Sequence, residues 1–375
     1  ERYWLTLEGL NAGQEYIFFF FVDGNIRIAD PYCDKVSDPW NDQYISEDIH
    51  PGLIDYPDDK TSGIAGVFQT AQEEYNWEVT GFTPPAVEDM VIYELLVRDF
   101  TENRDIKTVM DSLDYLENLG VNVIELMPVN EFEGNNSWGY NPSFYFAPDK
   151  AYGTKNDYKK FIDECHKRGI AVFIDMVLNH SFSQSPLVRL YFNESSYQVT
   201  EENPWYNVDC PHSNWCWGYD FDHEAEVVKD FVDSVNSYWL TEYKVDGFRF
   251  DFTKGFTNNT DPDGWNYDAS RVAILKRMAD EIWNVNENAA VILEHLTANE
   301  EEEELADYGV LLWGHVNHNY NEGTMGWNED GKSDFSWISY QERGWSNPHV
   351  IGYMESHDEE RLMYKNLQYG NSSGN

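Results

Sequence analysis

Two hydrophobic rhythms divide the chain. As far as residue 82, short apolar stretches alternate with turn signals at Asp23-Gly24, Asp30-Pro31, Asp38-Pro39 and Pro51-Gly52, and no 3.6-residue period runs through them. That pattern predicts short strands, so residues 1–82 read as a small all-β sandwich that starts inside a strand at Glu1 and is truncated there. Its longest apolar run, 16–22, is far too short to span a bilayer. Asp23-Gly24 after that run, followed by residues 25–28, predicts a hairpin. Residues 81–87, with Pro84-Pro85, read as a linker.

From residue 88 the rhythm changes. Seven apolar runs, at 91–95, 121–127, 170–177, 245–250, 290–294, 309–313 and 350–354, have the length of buried strands. Between them the period is helical. Ile106, Val109, Met110, Leu113 and Leu116 share one face ahead of Gly120, and further helices are predicted over 156–167 (stopped by Gly169), 222–243 and 270–285. Strand alternating with helix implies a parallel sheet. The span 88–375 suits a (β/α)8 TIM barrel with a short insertion at 181–219 better than a doubly wound sheet, and no glycine-rich phosphate loop opens a helix, which weakens the Rossmann alternative. Seven strands rather than eight predict a barrel truncated at its C-terminal side.

Charge narrows the partners. Lys plus Arg number 25 and Asp plus Glu 68, a net charge of −43. Such a chain lacks the basic clusters that nucleic acid or anionic lipid would need. With 41% hydrophobic and 16% aromatic residues it is not a disordered acidic chain either. The excess carboxylate predicts self-repulsion that salt would screen, as in a marine or halophilic source. The run 300–304 reads as a solvated helix start. Four cysteines do not form a disulfide framework at this length. Cys33 and Cys165 read as lying in separate units, Cys165 as a core thiol on a helix, whereas Cys210 and Cys216 share one loop and are placed to bridge in a secreted protein. His212 between them does not complete a four-ligand zinc set.

In a parallel barrel, chemistry sits where strands end. The third strand ends Asp175-Met176-Val177-Leu178-Asn179-His180 and the fourth ends Arg249-Phe250-Asp251. The fifth ends Glu294-His295, and the seventh ends Glu355-Ser356-His357-Asp358. Alone, each has an ordinary structural use; together they bring carboxylates, histidines and one arginine to one rim. This set fits glycosidic cleavage, which needs an acid for the leaving oxygen and a carboxylate for the cation-like sugar carbon. Asp251 and Glu294 lie on neighbouring strands, which lets their carboxyls approach the roughly 5–5.5 Å expected of a retaining pair. Arg249, two residues before Asp251, would keep it ionised as the nucleophile. Glu294 would act as acid and then base, and Asp358 would add a third negative charge.

These residues resemble the four signature regions of the α-amylase superfamily, glycoside hydrolase family 13: DMVLNH at 175–180, GFRFDFTKG at 247–255, the Glu294 strand and ESHD at 355–358. The resemblance covers the chain from residue 88 onward. It implies Asp251 as nucleophile, Glu294 as acid/base and Asp358 as transition-state stabiliser. It also implies Arg249, His180 and His357 as contacts to the cleaved sugar, with Asp175 and Lys254 beside them. The segment SWGYNP at 137–142 is similar to a family loop whose tyrosine, here Tyr140, stacks on sugar. The N-terminal part resembles carbohydrate-binding modules of family 48. The chemistry implied needs no cofactor. A structural calcium ion is implied through Asn179, although Lys254-Gly255 stands where many α-amylases have Lys-His. Asn259, Asp261, Asp263 and Gly264 resemble a calcium loop, but its twelfth position is Ser270 rather than Glu, so the segment reads as a turn. The expected partner is an α-glucan and the expected activity endo-α-1,4 hydrolysis. GFRFD also occurs in debranching enzymes and SHDE resembles branching enzymes, which keeps both as alternatives. An inactive starch-binding protein is the alternative from another class.

Overall fold

The computed structural model describes residues 4–372; the strand expected at Glu1 starts outside them. One parallel sheet organises the molecule. Its strands are β1 (Ile92–Leu95), β2 (Val123–Leu126), β3 (Ala171–Met176), β4 (Gly247–Phe250), β5 (Ala290–Leu293), β6 (Leu311–His315) and β7 (Val350–Tyr353), and they stand side by side in chain order. All seven predicted runs are there, each pairing parallel with its neighbours. They read as continuous apolar runs because both faces are covered. Successive side chains alternate in direction: Phe173, Ile292 and Trp313 meet on one face with Val123, while Val172, Ile174, Val291 and Leu293 join the larger core on the other.

The sheet is curled as a TIM-barrel wall. His357, just past β7, lies 2.8 Å from Glu94 of β1 through its Nδ1. The strands β1 and β7 are not hydrogen-bonded to each other, and a groove of about 560 Å³ runs between them.

Helices cover the outside. Helix α1 (Lys155–Lys167) opens on a capping box in which Thr154 and Asp157 exchange side-chain and backbone bonds, and it buries Tyr158, Phe161, Ile162 and Cys165. Helix α2 (Glu226–Tyr238) is shorter than the predicted 222–243. Asp222 to Ala225 form a turn, and residues Trp239–Tyr243 widen into a π-helical turn that ends at left-handed Lys244. The wider turn lets buried Trp239 donate its indole N–H to the Tyr145 carbonyl at 2.8 Å. The helix expected from Ile106 to Leu116 is two pieces, Ile106–Met110 and Leu113–Leu119, because Ser112 leaves the helical region. Helices α3 (Ala269–Val285) and α4 (Asn299–Tyr308) flank β5, and Asp268 caps α3 by accepting from Ser270 and Arg271 N–H.

The regular strands before β1 are short and antiparallel. Glu15–Phe18, Ala65–Gln69 and Val36–Ser37 make one sheet, and Phe20–Val22 with Ile26–Ile28 makes the predicted hairpin around Asp23-Gly24. The segment leaving this region is fixed to α1. Buried Asp163 accepts from Glu78 and Val79 N–H at 2.9 Å, and Phe82 stacks on His166 at 4.1 Å. The 181–219 insertion is pinned by His180–Ser181 pairing with Tyr219–Asp220, and Cys210 and Cys216 form a disulfide within it. No helix among the described residues is long and apolar enough to cross a membrane.

Candidate active site

The C-terminal ends of β3, β4 and β5 converge on one guanidinium. Arg249 faces inward from β4 opposite Asp175 of β3 and is wholly buried. Its Nη1 donates to Asp175 Oδ1 at 2.7 Å and to Asp251 Oδ1 at 3.0 Å. Its Nη2 lies 3.1 Å from Glu294 Oε2, and its plane sits 4.2 Å over the Trp313 ring. Burial alone would disfavour the charge on Arg249, but Asp175, Glu294 and Asp251 outweigh it and hold the guanidinium protonated.

Backbone geometry ties the two key carboxylates together. Directly after Asp251, Phe252 takes a left-handed conformation (φ 45°, ψ 50°), which is unfavourable for a bulky residue. That turn aims its N–H at Glu294 Oε2, 2.8 Å away. Thr253 then donates its N–H and its hydroxyl to the Glu294 carbonyl, both at 3.0 Å. The ends of β4 and β5 are thereby fastened to each other beside the two carboxyl groups.

Burial and the one cation act in opposite directions on the two aspartates. Burial pushes Asp251 well above the ordinary carboxylate range; Arg249 pulls it back and Glu294 pushes it up again. Asp175 is raised by burial and drawn down by Arg249 and by the hydroxyl of Tyr140, which donates to its Oδ2 at 2.5 Å. Burial thus opposes the charge on both aspartates, and Arg249 between them favours it.

A cavity of about 410 Å³ opens above this cluster, and Asp251, Glu294, Asp358, Tyr140, His180 and His357 all line it. Burial lowers His180 to about 4, so it is neutral and donates from Nε2 to the Tyr140 carbonyl at 3.0 Å. His357 behaves oppositely. Burial opposes its charge, but the hydrogen bond and charge of Glu94, helped by Asp358, raise it to about 9. Its ring stacks on Tyr140 at 4.8 Å. Asp358 is the most open of the three acids, with its Oδ1 3.4 Å from His357 Nε2.

A model of the α-amylase catalytic domain matches residues 98–219. A malto-oligosyltrehalose trehalohydrolase from Saccharolobus solfataricus is 29% identical over 262 residues, covering 68% of this chain and 39% of its own length. Isoamylase 1, a chloroplastic protein of Arabidopsis thaliana, is 33% identical over 268 residues, covering 62% and 32%. The structure of a type I pullulanase from Bacillus subtilis, complexed with maltose, superposes with a TM-score of 0.69 at 20% identity over 96% of this chain and 53% of that one. In sequence and in fold the chain is thus similar to members of the α-amylase superfamily. It spans well under half the length of those two curated relatives.

Of the residues expected from the superfamily motifs, three do not reach the cleft wall. Asp175 and Arg249 stand one layer behind it, wholly buried, and position what lines it. Lys254 is also buried, with its Nζ 4.9 Å from the Trp265 ring, 5.3 Å from Phe252 and 5.4 Å from Trp215. Its ammonium is drawn under these rings, where it gains three aromatic faces that it would forgo in the cleft.

The Asn179 amide oxygen is buried without a hydrogen-bond partner. It faces Gly255, where a Cβ would sit only 1.9 Å away, so any side chain there would displace the Asn179 amide. One unpartnered amide oxygen does not fit a calcium cage, which takes six to eight oxygens. Nor, among the described residues, do three His, Cys, Asp or Glu side chains gather to hold an ion. No role is therefore derived for a metal. The 259–264 segment is a turn: Asp261 accepts from Asp263 and Asn266 N–H.

The sequence motifs did not reveal Glu94 and Glu125. They are register partners on β1 and β2, and burial raises Glu125 to about 8, with Asp175 adding to the shift. A carboxylate inside each of two otherwise apolar strand runs was the available signal.

Proposed function

We propose that this chain carries the catalytic region of a retaining glycoside hydrolase acting on α-glucans. The observation behind this reading is the Asp251–Arg249–Glu294 cluster: two carboxyl groups from adjacent strands, bridged by one buried guanidinium, at the floor of an aromatic-lined cleft. Asp251 attacks the anomeric carbon of the bound glucosyl unit. The bond to the leaving oxygen breaks, and Glu294 gives that oxygen its proton. Glu294 then takes a proton from water, which attacks the anomeric carbon and releases Asp251. Asp358 faces the cation-like carbon, His180 and charged His357 hold the sugar hydroxyls, and Tyr140 supplies an aromatic face.

Bond preference is a finer proposal. The sequence motifs suggested endo-α-1,4 cleavage. The likeness to isoamylase, a debranching enzyme, and the GFRFD motif favour α-1,6 branch bonds. The Cys210–Cys216 bond supports an oxidising compartment.

The test is product analysis on amylose, pullulan and amylopectin, with anomeric configuration followed by NMR. Debranching releases linear chains from amylopectin and leaves amylose intact; endo-amylase activity shortens amylose. Asp251→Asn and Glu294→Gln should each lower kcat by roughly three or more decades while sugar binding persists. Near-normal turnover in either variant, or inverted product, refutes the mechanism.

A further inference from the structure

The cleft's outer wall comes from the insertion, and it is aromatic. Trp217 lines the cavity beside Asp251 and Phe252, yet its side chain is 43% exposed. Trp215 and Trp265 follow it outward, 37% and 56% exposed. Indole rings left in water side by side are unusual unless something covers them in use.

These rings are held rigidly from two sides. The Cys210–Cys216 disulfide closes the loop that carries Trp215, whose N–H donates to the His212 carbonyl at 2.8 Å. Asn214 fastens the same loop to the segment after β4, donating to Asp263 Oδ1 at 2.7 Å. On the other side Gly218 (φ +55°) passes so close to Ser181 that a Cβ would lie 2.4 Å from its carbonyl oxygen. Between these anchors Trp217 stands edge-on to Phe252, with ring centroids 4.9 Å apart. Trp215 is 5.8 Å from Trp217, and the Lys254 ammonium underlies Trp215 and Trp265. A preordered ring loses little entropy when a ligand covers it.

Resting on the function proposed above, we infer that Trp217, Trp215 and Trp265 form a shelf for the glucan chain beyond the glucosyl unit at Asp251, with Trp217 under the adjacent ring. A pyranose offers an apolar C–H face of indole size and polar edges, so it can cover each ring while its hydroxyls stay in water. The shelf carries no acid pair. Its part is to select longer chains over short ones.

The experiment titrates the Asp251→Asn chain, which binds without turnover, with maltose and with maltohexaose by calorimetry. Adding Trp215→Ala should weaken maltohexaose by about tenfold and maltose, whose second ring ends over Trp217, by less than about threefold. Trp215→Phe, which keeps an aromatic face, should recover most of the loss and controls for folding. Unchanged maltohexaose affinity in Trp215→Ala, or an equal loss for maltose, overturns the shelf and leaves the proposed function standing. If neither sugar binds the Asp251→Asn chain, the functional reading falls and the shelf with it.

Discussion

At the residue scale, the site works by setting charges against burial. His357 is the clearest case. It is nine-tenths hidden, yet Glu94 on the first strand holds it as a cation. Its folded value of about 9 lies above the ordinary 6.5, so the folded state binds the proton more tightly than the unfolded one. The resulting stabilisation is complete below pH 6.5 and is lost as pH rises through about 9. Glu94→Gln should therefore lower the melting temperature at pH 6 and much less at pH 10. Equal losses at both pH values would show that Glu94 does not act through the His357 charge. The sequence displayed His357 and Asp358 as a motif, but nothing in it joined them to Glu94, which lies 263 positions earlier.

Among elements, close approach decides the geometry. The end of β3 carries Asn179 and the turn after β4 carries Gly255, and the two touch with no room for a side-chain carbon. Gly255→Ala should push Asn179 aside and cost about 1–3 kcal/mol in chemical denaturation, the usual penalty for overpacking. Because Asp251 and Glu294 are joined through Phe252 and Thr253 of that same turn, the variant should also lose kcat more than KM. A stability unchanged within error would mean that the turn yields freely. The strands themselves were readable as apolar runs. Helix ends were less so: Ser112 breaks a run that hydrophobic spacing shows as continuous, and the π-turn at Trp239–Tyr243 follows from the fit of one indole against Tyr145.

For the whole molecule, the net charge of −43 is the dominant fact outside the core. Like charges at this density repel in the folded state, and salt shortens their reach from about 10 Å at 0.1 M to about 3 Å at 1 M. Melting temperature should rise over that range of sodium chloride. The buried Arg249 cluster, shielded from solvent ions, should bind sugar with little salt dependence. A flat or falling melting curve would show that the surface charges are already compensated locally, as in the Lys167–Glu164 and Arg168–Glu164 contacts.

The order of strands and the rim on which Asp251, Glu294 and Asp358 gather were written along the chain, because period, strand length and residue type are local properties. Which groups meet was decided in three dimensions. Nothing local says that Lys254 turns under indoles instead of into the cleft, that Glu94 closes on His357, or that a disulfide-bound loop brings Trp217 beside Asp251. Those contacts join segments tens to hundreds of residues apart. Their energies depend on burial and distance, and both exist only once the sheet has curled.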